Sequence, residues 1–198
     1  MSQSNLAANP KIYSDEEYLV LEREAEQKHE LIDGEIVAMA GASREHNLIS
    51  GNVFAGFHSR LREKPCESYI NDMRVRMKKG RYSYPDVVVV CGEPQFADDE
   101  FDVLLNPVVV VEVLSKSTRF RDKTEKLETF QKMESVQECL LIEQDEPHIE
   151  HYIKQTPKQW LFKIYEELDE IINLESIDCQ LILAEIYAQI QFAERVED

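Results

Sequence analysis

Two runs, Val87-Val88-Val89-Val90 and Val108-Val109-Val110-Val111, are apolar at every position instead of alternating. That pattern predicts β-strands covered on both faces, and hence a sheet at the centre of the molecule. Helical spacing flanks them. Ser14-Asp15-Glu16-Glu17 is a capping box, in which the Ser14 hydroxyl accepts a free backbone N–H while Glu17 reaches back. It opens a helix running to about Gln27, with Tyr18, Leu21 and Ala25 on one face. A second helix is predicted from Ser43 to about Glu63, before Pro65, with Leu48, Val53, Phe57 and Leu61 as its apolar stripe. A third spans roughly Phe120 to Met133 and turns Leu127 and Phe130 inward.

Shorter strands fill the intervals. Asp33-Gly34 between Leu31-Ile32 and Glu35-Ile36-Val37 is a strong two-residue hairpin signal. Strands are expected near Ser68 to Asp72 and Val75 to Met77, the second turning at Lys78-Lys79-Gly80-Arg81. Cys139-Leu140-Leu141-Ile142 reads as a further buried strand, and Ile149–Ile153 and Trp160–Tyr165 as half-buried strands of a meander. A short helix near Ala184 to Gln191 closes the chain. This order predicts an α/β fold of the mixed α+β kind. Residues 1–12 are expected to be a flexible N-terminus and 13–198 a single domain.

Composition narrows the setting. No stretch approaches the ~18 apolar residues that cross a membrane, and the polar start lacks a signal-peptide segment, so a cytoplasmic location is expected. Cys66, Cys91, Cys139 and Cys179 form no C-x-x-C pair; buried reduced thiols are expected rather than a zinc site or a disulfide framework. The net charge of −17 argues against a polyanionic partner, but it is unevenly spread. Arg60 to Arg81 holds eight basic and three acidic residues, and Lys116 to Lys126 holds five and two. Both basic islands adjoin the acids that matter next.

Asp86 opens the first valine run and Glu112 ends the second. An ionised side chain in such a setting costs several kcal/mol unless it is compensated. Neighbouring strands lie under ~5 Å apart, so two such acids can share one divalent cation, Mg2+ or Mn2+, with water and phosphate completing its shell. Such an ion polarises a phosphoryl oxygen and acidifies bound water, the two requirements of phosphodiester hydrolysis. A lysine should stabilise the developing charge. Its common place, two residues after the second acid, is Leu114 here. Lys116 has the right parity but lies ~13 Å along a straight strand from Glu112. Lys126, on the following helix with Asp122 four residues before it, is preferred.

These residues carry a resemblance. Pro85-Asp86, Glu112-Val113-Leu114-Ser115, Ser117-Thr118 and Asp122-x-x-x-Lys126-Leu127 occur in an order that resembles the Uma-two family of bacterial restriction-endonuclease-type proteins, within the PD-(D/E)XK nuclease superfamily. Glu30-Leu31-Ile32-Asp33-Gly34-Glu35-Ile36, the helix containing His46, and Asp72-x-Arg74 fit the same pattern. The likeness covers about Tyr13 to Glu143. It implies a restriction-endonuclease-like fold, a central mixed sheet flanked by helices, that cuts DNA with magnesium. It also implies a catalytic lysine moved to the helix, which agrees with Lys126. Asp86 and Glu112 become metal ligands, and Glu30 a third acid holding a second metal through water. Lys116 stands where the family's turn usually has proline.

The resulting expectation is a metal-dependent endodeoxyribonuclease using Asp86, Glu112, Lys126 and Glu30, with Arg74, Arg76, Lys116 and Arg119 as DNA contacts and a homodimer as the assembly. The alternative is a catalytically inactive module on the same scaffold, binding nucleic acid or a protein partner. His46 reads as a structural histidine and Glu35 as a surface residue. His148-x-x-His151 resembles a chelate, but its odd spacing on a strand points the two rings to opposite faces.

Overall fold

A computed structural model describes residues 11–115 and 119–192. Helix α1 (Asp15–Glu24) begins at the expected capping box, with Ser14 Oγ accepting the Glu17 N–H at 3.1 Å and Glu17 Oε2 accepting the Ser14 N–H at 2.9 Å. Strands β1 (His29–Ile32) and β2 (Glu35–Ala38) form the hairpin at Asp33-Gly34, whose φ values of 49° and 90° are what a tight primed turn requires. Helix α2 (Arg44–Leu61) follows, capped by Ser43.

The chain then runs through β3 (Cys66–Ile70), β4 (Arg74–Lys78), β5 (Arg81–Ser83), β6 (Val87–Cys91), β7 (Val103–Leu104) and β8 (Val109–Leu114). Next comes a short helix α3 (Arg119–Arg121), a π-helical turn over Asp122–Lys126, and α4 (Leu127–Lys132). The remaining elements are β9 (Glu138–Glu143), β10 (Ile149–Thr156), β11 (Gln159–Tyr165), β12 (Ile171–Leu174), β13 (Cys179–Ile182) and α5 (Leu183–Ile186).

The valine-rich strands β6 and β8 lie side by side within a six-stranded sheet ordered β11-β10-β9-β8-β6-β3. Every residue of β8 is buried, as an unbroken apolar run demands. The sheet is mixed: β8 and β9 are parallel, joined by a crossover through α3 and α4, and its other pairs are antiparallel. One face packs on α2, α5 and the β12–β13 hairpin through Ile49, Val53, Phe57, Val111, Leu140 and Leu181. The other face is covered by α4 and by β4, through Val88, Val110, Leu114, Leu127 and Phe130. A second sheet, ordered β2-β1-β5-β4-β7, carries α1 on Tyr18, Leu31 and Tyr82.

Three expectations change. The chain from Arg119 to Lys132 is helical as predicted, but its middle is a π-turn, which apolar spacing cannot reveal. The C-terminal region adds the β12–β13 hairpin, and its helix stops at Ile186. Cys66 and Cys91 are bonded as a disulfide, because the β3–β6 register sets them directly opposite one another. Cys139 and Cys179 are the buried free thiols that were expected.

Candidate active site

The two acids meet because of how β6 pairs with β8. Val87 stands opposite Val111 in that antiparallel register, and Asp86 and Glu112 are the next residues along. Carrying the register one step further sets them across from each other. Alternation puts Glu112 on the face of Val110 and Leu114, and Asp86 on that of Val88 and Val90. All four apolar residues belong to the cluster beneath α4, so both acids start from the face that the crossover helix covers. Asp86 Oδ2 also accepts the Val113 backbone N–H at 2.7 Å, which ties its carboxylate to β8.

Lys126 reaches this point from the π-turn. The Leu127 N–H donates to the Asp122 carbonyl five residues back, and the widened turn buries both Asp122 and Lys126. Isolated π-turns of this kind are frequent at functional sites. Lys126 Nζ stands 2.8 Å from Glu112 Oε1, 3.3 Å from Glu30 Oε1 and 3.9 Å from Asp122 Oδ1. The opposite charges hold its ammonium well above the ordinary lysine range, against the contrary pull of burial. Lys126 is therefore a fixed positive charge at neutral pH.

Glu112 has the reverse problem. Burial pushes its carboxyl well above the usual range, and Asp86 and Asp122 push the same way, so the Lys126 ammonium opposes the rise without cancelling it. Glu112 Oε1 faces the Lys126 ammonium, and buried Asp122 Oδ1 lies 3.9 Å from the same group, beyond hydrogen-bond reach. A cation supplied from outside would satisfy both oxygens and the surplus negative charge. The donors are carboxylate oxygens, the ligand type a hard divalent ion takes. Among the described residues no group of three His, Cys, Asp or Glu side chains is arranged to hold a metal ion.

Glu30, on β1, is differently placed. Its Oε1 accepts from Ser83 Oγ at 2.6 Å, and its Oε2 faces Arg121 Nη2 at 2.7 Å. Burial alone would raise its carboxyl, but Lys126, Ser83 and Arg121 together lower it. Both oxygens are thus engaged by protein cations and a hydroxyl, and Glu30 holds the Lys126 ammonium from the side opposite Glu112.

His46, in the first turn of α2, was read as structural. Its Nε2 lies 3.3 Å from Asp86 Oδ2, and that contact raises the imidazole although burial works against it. It lines the same open cleft, about 980 Å3, as Glu30, Asp86, Glu112, Asp122 and Lys126. The capping serine at position 43 and the resemblance of this helix to the family pattern are the sequence signals, since a helix N-terminus fixes where its first side chains point.

Arg74, Arg76 and Arg119 lie in separate surroundings. Arg74 is buried, donating to Tyr84 Oη at 2.8 Å and stacking over Tyr18 and Tyr84, so it is a structural cation. Arg76 lines a separate cleft with Lys78 and Lys79. Arg119 pairs with buried Glu143 at 2.5 Å, and Lys123 grips the other oxygen of Glu143 at 3.0 Å, so both brace the π-turn against β9. Lys116 lies outside the described residues. His151 is buried against Glu138 while His148 meets Glu166, and no chelate forms between them.

Comparison with known proteins agrees with this architecture. The crystal structure of "a putative nuclease belonging to DUF820" from Anabaena variabilis ATCC 29413 superposes with a TM-score of 0.72 at 18% identity, covering 90% of this chain and 99% of that one. The mixed α+β fold is thus shared with that protein. A family model, Uma2, described as "Putative restriction endonuclease", matches residues 15–184, and the chain belongs to that family. Two uncharacterized relatives come from Synechocystis sp. (strain ATCC 27184 / PCC 6803 / Kazusa). Protein sll1609 is 37% identical over 157 residues, 79% of this chain and 89% of its own. Protein slr1290 is 32% identical over 193 residues, 97% of this chain and all of its own. No helix among the described residues is long and apolar enough to span a membrane.

Proposed function

We propose that this protein is a metal-dependent endodeoxyribonuclease. The observation that carries the reading is the buried Lys126 ammonium 2.8 Å from Glu112, on the strand next to Asp86, at the floor of an open cleft. Asp86 and Glu112 would hold the ion, Mg2+ or Mn2+, with Asp122 beside them. When bound, the ion polarises a phosphoryl oxygen and acidifies a water molecule.

The chain's own groups do the rest. Lys126, permanently charged, donates toward the phosphoryl oxygens where negative charge grows and holds the attacking water by hydrogen bonding. Glu30 and Asp122 fix the direction of its stem. His46 orients Asp86, as the hydrogen-bond partners of metal-binding carboxylates do. Arg121, about one-third exposed at the rim, is the cation best placed to meet the DNA backbone. Cutting both strands of a duplex requires two such sites, which a homodimer would supply.

A test incubates the purified chain with supercoiled plasmid and Mg2+ or Mn2+. Nicking or linearisation is expected, and both are expected to vanish in Glu112→Gln. Wild-type protein that binds the cation but leaves plasmid, single-stranded DNA and RNA uncut would favour the inactive module, a reading to which the net charge of −17 lends support.

A further inference from the structure

We propose that the free edge of β11 is an interface at which two copies of this chain join their six-stranded sheets into one. β11 is the outermost strand, hydrogen-bonded to β10 on one side only among the described residues. It runs Gln159-Trp160-Leu161-Phe162-Lys163-Ile164-Tyr165, with Lys163 its single charge. Leu161, Phe162 and Ile164 are 43%, 46% and 47% exposed. Proteins ordinarily blunt such edges by shortening them, charging them or inserting proline. The opposite edge shows the contrast: β3 is five residues long and presents Glu67 outward.

A second copy fits this edge because the segment is self-complementary. Antiparallel pairing of identical strands turns about one residue, by two-fold symmetry. About Phe162, the Trp160 side chain of one copy faces Ile164 of the second copy, and the two Phe162 rings meet at the axis. Four residues out, exposed Lys158 faces Glu166 of the second copy, whose Oε1 meets His148 within its own chain while the side chain stays 62% exposed, and symmetry repeats that opposite-charge pair. A polyanion suits the edge poorly. Glu166, Glu167, Asp169 and Glu170 follow the strand directly, against Lys158 and Lys163. Phe162 also stacks on Tyr152 of β10, their ring centroids 4.9 Å apart, so the apolar surface is already ordered in one chain.

Hydrodynamic mass tests this without DNA or metal, so the result is independent of the nuclease reading. Sedimentation velocity of the full chain at tens of micromolar is expected to give twice the 23.1 kDa of one copy. Phe162→Lys sets two ammonium groups face to face and is expected to give monomers whose circular dichroism is unchanged. Lys158→Glu or Glu166→Lys alone should weaken the dimer about tenfold, since two exposed ion pairs become like-charge contacts. The double charge swap should restore it. A wild-type monomer at every concentration, or a dimer that survives Phe162→Lys, overturns the proposal. Loss of assembly in Phe162→Lys without rescue by the charge swap overturns the pairing about Phe162.

Discussion

Lys126 Nζ lies 2.8 Å from Glu112 Oε1, and the same ammonium is 3.3 Å from Glu30 Oε1 on the second sheet. One side chain thus links the two sheets at the point where both contribute an acid. Removing it leaves two buried carboxylates facing each other. Lys126→Ala is expected to lose about 3 kcal/mol of stability near neutral pH, the usual cost of breaking a buried pair from one side. Plasmid cleavage should fall by about 100-fold or more, as when a positioned donor is removed. Urea unfolding and a cleavage time course check both. Cutting at the wild-type rate would remove Lys126 from the chemistry.

Asp86 is expected to govern cation binding rather than folding. Asp86→Asn keeps an oxygen for the Val113 N–H while removing the charge. Calorimetric titration with Mn2+ should show no binding to this variant, with its melting curve little changed. His46→Ala, which only loosens the Asp86 carboxylate, should weaken the ion by about tenfold. Undiminished Mn2+ binding by Asp86→Asn would rule this residue out as a ligand.

Acid sensitivity should come from a second buried pair, on the opposite face of the main sheet. Glu138 Oε2 is 2.5 Å from His151 Nε2, and its Oε1 accepts the Ser176 N–H at 2.8 Å. Burial would raise the Glu138 carboxyl, but these contacts outweigh it and hold it below the ordinary range. A depressed folded value means that the stabilisation is complete above the unfolded value of about 4.3 and is lost as pH falls through the lower folded one. Glu138→Gln is therefore expected to cost about 2 kcal/mol near pH 6 and progressively less below about pH 4. A penalty that stays constant between those conditions in urea unfolding would refute the assignment.

The Cys66–Cys91 bond closes a loop across 25 residues. Loops of that order give a stabilisation of about 3 kcal/mol. Reduction, or the Cys66→Ser/Cys91→Ser pair, should lower the unfolding midpoint accordingly. Thiol titration of unreduced, denatured protein should find Cys139 and Cys179 alone reactive; reaction at all four cysteines would contradict the bond.

Much of the site was legible before any fold was known. The unbroken valine runs marked the central strands, and acids set into them could only be compensated or functional. Asp33-Gly34 and the Ser14 capping box fixed two element boundaries, because each is a local interaction complete within a few residues. Lys126 was also within reach. Leu114, at the common lysine position, belongs to the core, which leaves the next helix as the source of a cation.

Other features depend on partners far apart in the chain. Arg74 has the sequence context of a surface cation, yet Tyr18 and Tyr84 enclose it. Cys66 and Cys91 look unrelated until the β3–β6 register makes them neighbours. The π-turn, the place of Asp122 and His46, and the pairing of Glu30 with Lys126 and Arg121 arise only when the crossover helix settles on the sheet. By itself, the sequence determined the central strands, the caps and the acids that burial would make costly, since those follow from local periodicity and side-chain chemistry. Only tertiary structure decided which oxygen each cation satisfies, because charge compensation in a low-dielectric interior is set by ångström-scale packing between distant segments.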